Sequence, residues 1–226
     1  VSEVGGDGDM DVLSASKGDD TIRWYENNGA EAFTAHTITT SAVGARSVYA
    51  ADVDGDGDMD VLSASQNDDK IVWYENDGQT NPSFTAREIT AQADGAYSVY
   101  AADVDGDGHM DVLSASYLDN KIAWYENDGA ESFTTHTITD QADARSVYAI
   151  DVDGDGDMDV LSASYSDDKI TWYENDGQAN PTFTTHEITD QADAAQSVYA
   201  IDVDGDGDMD VLSASYNDNK IRWYEN

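Results

Sequence analysis

The chain has 226 residues, of which 39% are hydrophobic, enough to build one or two domains with a core. Ten Lys and Arg stand against 48 Asp and Glu, and the formal net charge of -38 excludes the basic surfaces that nucleic acid and anionic membranes require. There is no cysteine, which excludes disulfides and thiol chemistry, and no apolar run reaches the roughly 18 residues of a membrane-spanning helix.

The chain opens on Val1-Ser2-Glu3 with neither Met nor a signal peptide, as expected of a mature form or a fragment. An acidic loop follows at once and returns four more times. Its first position falls at Glu3, Asp52, Asp103, Asp151 and Asp202, at intervals of 49, 51, 48 and 51 residues. A regular period of this length without helical patterning points to small sheets repeated as a propeller or solenoid. The repeats run approximately over 1–46, 47–97, 98–145, 146–196 and 197–226, all within a single domain, 1–226.

The second repeat shows the elements of each. Residues 47–53 form a β-prone stretch leading into the acidic loop, and 59–65 make a second strand. Gln66-Asn67-Asp68-Asp69 supplies turn chemistry, 70–76 is a third strand, and 83–90 is a fourth with polar and apolar residues alternating. Four short strands per repeat are the make-up of a blade, so the fold class is all-β, a β-propeller of four-stranded antiparallel blades. The first two strands are small and apolar, as a crowded axis demands, and the fourth suits an outer position with one wet face. In the third strands, Trp24-Tyr25, Trp73-Tyr74, Trp124-Tyr125, Trp172-Tyr173 and Trp223-Tyr224 point to opposite faces, each ring packing on a neighbouring blade. Linkers at 30–33 and 130–133 match each other, as do those at 79–82 and 178–181, so the duplicated unit is a pair of blades. The last repeat stops at Asn226 without an outer strand, and that open edge invites a partner or self-association. A five-bladed ring is the leading expectation, with an open arc of a larger propeller as the alternative.

The loop at 52–60 carries the chemistry. Asp52, Asp54, Asp56 and Asp60 occupy positions 1, 3, 5 and 9, and carboxylates two residues apart repel unless neutralised. A hard cation with six to eight oxygen ligands removes that repulsion, and calcium is the usual one. Gly57 permits the sharp turn, and Asp58 at position 7 offers its backbone carbonyl.

Asp-x-Asp-Gly-Asp-Gly-x-x-Asp between two strands, followed by Val-Leu and then Trp-Tyr-Glu-Asn, resembles the FG-GAP/VCBS repeats, the propeller repeats of integrin alpha subunits and many secreted bacterial proteins. The resemblance spans essentially the whole chain. It implies calcium bound on one face of the propeller, by Asp52, Asp54, Asp56, Asp58 and Asp60 in the second repeat. The third-repeat ligands are then Asp103, Asp105, Asp107, His109 (by its carbonyl) and Asp111. The fourth set is Asp151, Asp153, Asp155, Asp157 and Asp159, and the fifth is Asp202, Asp204, Asp206, Asp208 and Asp210. The first loop departs from the pattern: Glu3 and Gly5 replace Asp at positions 1 and 3, leaving Asp7, Asp9 and Asp11, a weak or empty site. An EF-hand is set aside because Ser63 stands where its bidentate Glu belongs and no helices flank the loop.

An enzyme is not expected. His36, His136 and His186 share one register of the outer strands, Arg87 stands there in the remaining copy, and none has a partner nucleophile or paired metal-ligand spacing. Leu-Ser-Ala-Ser recurs in every blade, so its serines read as small core-facing residues. Binding fits better. Lys17, Gln66, Tyr117, Tyr165 and Tyr216 lie in the turns opposite the calcium loops, with Arg46, Tyr97, Arg145 and Gln196 just before the inner strands. Aromatic, basic and amide groups on an acidic surface suit a polysaccharide or protein ligand. The expected role is a calcium-stabilised extracellular binding, adhesion or scaffold module, lectin-like if the ligand is a sugar. The alternative is the non-catalytic propeller portion of a secreted polysaccharide-degrading enzyme.

Overall fold

The computed structural model describes residues 2–30 and 32–226, and every strand pairing in it is antiparallel. Among the described residues there is no helix, hence none long and apolar enough to cross a membrane. The first sheet holds β1 (Val12–Ser16), β2 (Thr21–Asn27) and β3 (Phe33–Thr39). The second holds β4 (Ala45–Ala51), β5 (Asp60–Ser65), β6 (Lys70–Asn76) and β7 (Phe84–Thr90). The third holds β8 (Ala96–Ala102), β9 (Asp111–Ser116), β10 (Lys121–Asn127) and β11 (Phe133–Thr139). The fourth holds β12 (Ala144–Ile150), β13 (Asp159–Ser164), β14 (Lys169–Asn175) and β15 (Phe183–Thr189). The fifth holds β16 (Ala195–Ile201), β17 (Asp210–Ser215) and β18 (Lys220–Tyr224).

Each sheet is a simple meander, and its strands lie where β-branched and aromatic residues concentrate. The turn from the second to the third strand of a full sheet closes on an Asp or Asn in the left-handed region, with φ of 59° at Asp69, 56° at Asn120 and 60° at Asp168. These are the non-glycine residues that tolerate that conformation best. Asp69 and Asp168 also reach forward. Their carboxylates accept the amides of Gly95 (2.9 Å) and Ala194 (2.8 Å), fastening each turn to the segment that starts the following sheet.

The sheets pack face to face in succession. Leu62, Ile71 and Trp73 of the second sheet are buried against Ala96, Val99 and Tyr125 of the third. Leu113, Ile122 and Trp124 repeat the contact against Ala144, Val147 and Tyr173. Trp therefore faces the following sheet and Tyr the preceding one, as the two-residue period of a strand requires. The buried tyrosine hydroxyls are met within their own sheet by a core serine, as in Ser114 to Tyr125 at 3.0 Å. The two serines of Leu-Ser-Ala-Ser are buried in the three complete sheets, which is where their small size places them.

The inner strands β4, β8, β12 and β16 adjoin in order, and their Tyr49, Tyr100, Tyr148 and Tyr199 rings follow one another at centroid distances of 4.5, 4.9 and 4.8 Å. The extensive contacts join successive sheets only. Ile221 and Trp223 on the last sheet are 83% and 46% exposed, whereas their counterparts Ile71 and Trp73 are 0% and 1% exposed. The described residues thus form a propeller-like succession of five sheets. Three are complete, and the two terminal ones have three strands each.

Candidate functional site

The acidic loops sit at one end of the strands, between the inner strand and the second. In the second loop, Gly55 and Gly57 take φ of 75° and 97°, a conformation that favours glycine at both positions. Their amides donate to the two oxygens of Asp52, at 2.8 and 3.0 Å. Asp54 accepts the amide of Asp56 (3.2 Å), and Asp56 accepts that of Asp58 (2.9 Å). The chain is thereby wound around its own carboxylates. Position 7 turns its side chain outward: the carboxylate of Asp58 lies over Gly78, where any side chain would collide with it, and His109 lies likewise over Gly129.

Carboxylate oxygens lie within 4.8 Å of one another in Asp52, Asp54 and Asp60; in Asp103, Asp105 and Asp111; in Asp151, Asp153 and Asp159; and in Asp202, Asp204 and Asp206. Three of the four triads therefore join positions 1, 3 and 9, and the last joins 1, 3 and 5. Asp107 and Asp155 stay outside their triads, and each caps the amide of position 7, at 2.8 and 3.0 Å. Like charges this close repel by about 1–3.5 kcal/mol per pair at effective dielectric constants of 80 to 20. An all-oxygen, all-anionic donor set fits a hard divalent cation such as calcium. One atom also lacks any partner: Asp103 Oδ1 is buried and accepts no hydrogen bond. The residues present fit the ion, and these triads are what would hold it.

Position 9 has a second role. Both oxygens of Asp60 accept backbone amides, from Asn76 at 2.7 Å and from Val53 at 3.1 Å, tying the loop to the end of the third strand. Asp111 repeats this with Asn127 and Val104, and Asp159 with Asn175 and Val152. Burial pushes the Asp60 and Asp111 carboxyls up to about 6, despite the amides that favour the ionised form. Asp210 shifts the other way, held down mainly by the amides of Asn226 and Val203. Burial likewise raises Asp54, Asp105 and Asp153 at position 3.

The first loop keeps the strap and loses the triad. Asp11 accepts the amides of Val4, Gly5 and Asn27 at 3.0, 3.0 and 2.8 Å. Glu3 and Asp7 are used on loop amides, and among the described residues no three carboxylates gather there.

The outer-strand histidines have structural partners. His36, His136 and His186 stack on Trp24, Trp124 and Trp172 at 4.4 to 4.5 Å between ring centroids. Their Nε2 atoms meet Glu26, Glu126 and Glu174 at 2.8, 2.7 and 2.6 Å. Arg87 does the same work, 5.2 Å over Trp73 and 2.6 Å from Glu75. A cation or imidazole clamped between Trp and Glu accounts for the shared register.

At the opposite end of the strands, about 20 Å from the loops by strand rise, a second group converges. Arg46, Tyr97, Arg145 and Gln196 are bulge residues: the register of each inner strand skips one residue between Ala45 and Ser47, Ala96 and Ser98, Ala144 and Ser146, and Ala195 and Ser197. Bulges re-aim side chains, and here they bring several together. Arg145 lies 3.5 Å over the Tyr165 ring, 5.3 Å from Tyr97 and 5.7 Å from Tyr117, and Arg46 lies 4.6 Å from Tyr97. Gln66 bridges Arg46 Nε (2.6 Å) and the Tyr117 hydroxyl (2.7 Å), while Arg145 Nε is buried without an acceptor. Neither arginine pairs with a carboxylate among the described residues. Tyr216 is 68% exposed and Lys17 and Gln196 stand apart from these contacts. The bulge is what the sequence reading missed; a lone variable residue before each Ser-Val-Tyr was its only trace.

Comparison with known proteins agrees with this architecture. An FG-GAP-like repeat model matches residues 4–63, 52–114, 103–162 and 151–213. No curated protein matches the chain. Among solved structures, an Agrocybe aegerita lectin that recognises non-reducing terminal N-acetylglucosamine is 19% identical with a TM-score of 0.61, over 92% of this chain and 58% of that one. A candidate 6-phosphogluconolactonase from Bacteroides uniformis is 16% identical with a TM-score of 0.65, over 95% and 63%. The V. cholerae biofilm matrix protein Bap1 is 18% identical with a TM-score of 0.54, over 96% and 37%. The chain thus spans less than two thirds of the length of each, and likeness at this identity concerns the fold. With four overlapping matches reaching from residue 4 to residue 213, the chain belongs to the FG-GAP-like repeat family.

Proposed function

We propose that the chain is a calcium-stabilised, non-catalytic binding or scaffold module that works outside the cell, where calcium is abundant. The carrying observation is the set of four carboxylate triads, each with oxygens within 4.8 Å, in loops that join the first two strands of a sheet. Ligands meet the other end, at the Arg46, Tyr97, Tyr117, Arg145 and Tyr165 group. Guanidinium planes on tyrosine rings offer both stacking and hydrogen-bond donors, the combination that suits a polysaccharide. A lectin and a matrix protein among the structural neighbours are compatible with this reading. The histidines of the shared register are each engaged by a Glu and a Trp, which supports the non-catalytic reading.

A glycan array probed in calcium tests the binding role. The expected result is retention on a defined class of polysaccharide, lowered about tenfold or more by Arg145→Ala with the melting temperature unchanged. Retention unaffected by Arg145→Ala moves the site elsewhere, and silence across the array leaves the scaffold role.

A further inference from the structure

Of the ten Lys and Arg in the chain, seven pair with a carboxylate among the described residues. The three that do not are Lys17, Arg46 and Arg145, and all three lie at the end of the strands away from the acidic loops. With 48 Asp and Glu in the chain, pairing is the default, and a guanidinium left without a carboxylate is kept so by what surrounds it.

Aromatic rings and one amide do this for the two arginines. Arg145 lies 3.5 Å over the Tyr165 ring, and both guanidiniums share Tyr97, at 4.6 and 5.3 Å, which puts them within about 10 Å of one another. Gln66 accepts the Nε hydrogen of Arg46, whereas Arg145 Nε is buried without an acceptor. The carboxylates nearby are engaged elsewhere. Asp143, two residues before Arg145, accepts the Ser166 hydroxyl, and Asp119 pairs with Lys121. Asp69 and Asp168 accept the amides of Gly95 and Ala194. Stacking uses the faces of a guanidinium and leaves its edge, a planar fork of N–H donors that matches a carboxylate or a sulfate in two parallel bonds. The acidic loops do not forbid an anion here: they lie about 20 Å away by strand rise, more than twice the Debye length of about 8 Å at physiological ionic strength.

We propose that the ligand met by this face is an acidic polysaccharide, whose carboxylate or sulfate groups are taken by the edges of Arg46 and Arg145 while the tyrosine rings beneath them pack against the sugar. This rests on the reading that ligands meet this end of the strands, and it adds the ligand's charge.

Three polymers on one glucan backbone separate charge from sugar: dextran, carboxymethyl dextran and dextran sulfate, each immobilised and probed with the intact chain in millimolar calcium. Retention is expected on one or both charged polymers and to be about tenfold lower on plain dextran. The charged polymer that retains the chain better identifies the group as carboxylate or sulfate. Raising NaCl from about 0.1 to 1 M, which shortens the Debye length from about 10 to 3 Å, is expected to release the unaltered chain. Arg46→Gln and Arg145→Gln are each expected to weaken retention about tenfold. The salt response needs no substitution, so it decides even where a variant fails to fold. Equal retention on dextran and its charged derivatives, lost in Arg145→Gln, keeps the site and overturns the acidic ligand. Retention on charged polymers that survives both substitutions overturns the site as well, and no retention on either charged polymer overturns the acidic ligand.

Discussion

Asp111 and Asp105 occupy one loop and differ in what they do without a cation. Asp111 accepts two buried amides, from Asn127 and Val104, so Asp111→Asn sets an amide NH2 against a backbone donor. The expected cost is about 1–3 kcal/mol in urea denaturation in chelator, and more in calcium, because Asp111 also belongs to the triad. Asp105 accepts one amide, from Asp107 in an exposed loop, so Asp105→Asn is expected to be nearly neutral in chelator and to erase that loop's calcium-dependent gain. A neutral Asp111→Asn in chelator contradicts the strap. At this scale the triads were legible, because carboxylates two apart admit few purposes. The double acceptance at position 9 was not, since spacing does not reveal which amides from 16 residues away will face Asp111. Nor did spacing show that Asp56 and Asp107 serve the loop backbone.

Between sheets, the last residue of each third strand acts as a clasp. Asn127 Nδ2 donates to the carbonyl of Val53 in the preceding loop (2.9 Å) and to that of Met110 (3.1 Å), and Asn76 and Asn175 do likewise. Asn127→Ala leaves both carbonyls short of a donor, one of them buried between sheets. Its expected cost is about 1–3 kcal/mol by thermal or urea unfolding. A change within about 0.5 kcal/mol shows that the clasp contributes nothing. The four strands of each full sheet were readable from β-prone runs and turn residues, and 70–76 agrees to the residue with Lys70–Asn76. The inner strand starts earlier than read, at Ala45, because a bulge accommodates Arg46, and such an extra residue leaves no mark on hydrophobic periodicity.

Across the whole molecule, stability rests on repeated sheets that each cover only their neighbours, so the loops that close each sheet matter collectively. The repeat period, the direction of Trp and Tyr, and the acidic face were all legible because each recurs. The gathering of Arg145 with Tyr97, Tyr117 and Tyr165 was not, since it depends on how successive sheets face one another. Calcium sites of extracellular modules have dissociation constants of roughly 10⁻⁴ to 10⁻³ M. Calcium about tenfold above that stabilises by about 1.4 kcal/mol per site, or roughly 5–6 kcal/mol over four sites. For a chain of this length that is a shift of about 10–20 °C in melting temperature. The decisive measurement is the melting curve in excess EDTA against millimolar calcium, with magnesium as control. The account predicts a melting temperature at least about 10 °C higher in calcium than in EDTA, with a smaller effect of magnesium. Superimposable curves in calcium and EDTA would contradict it.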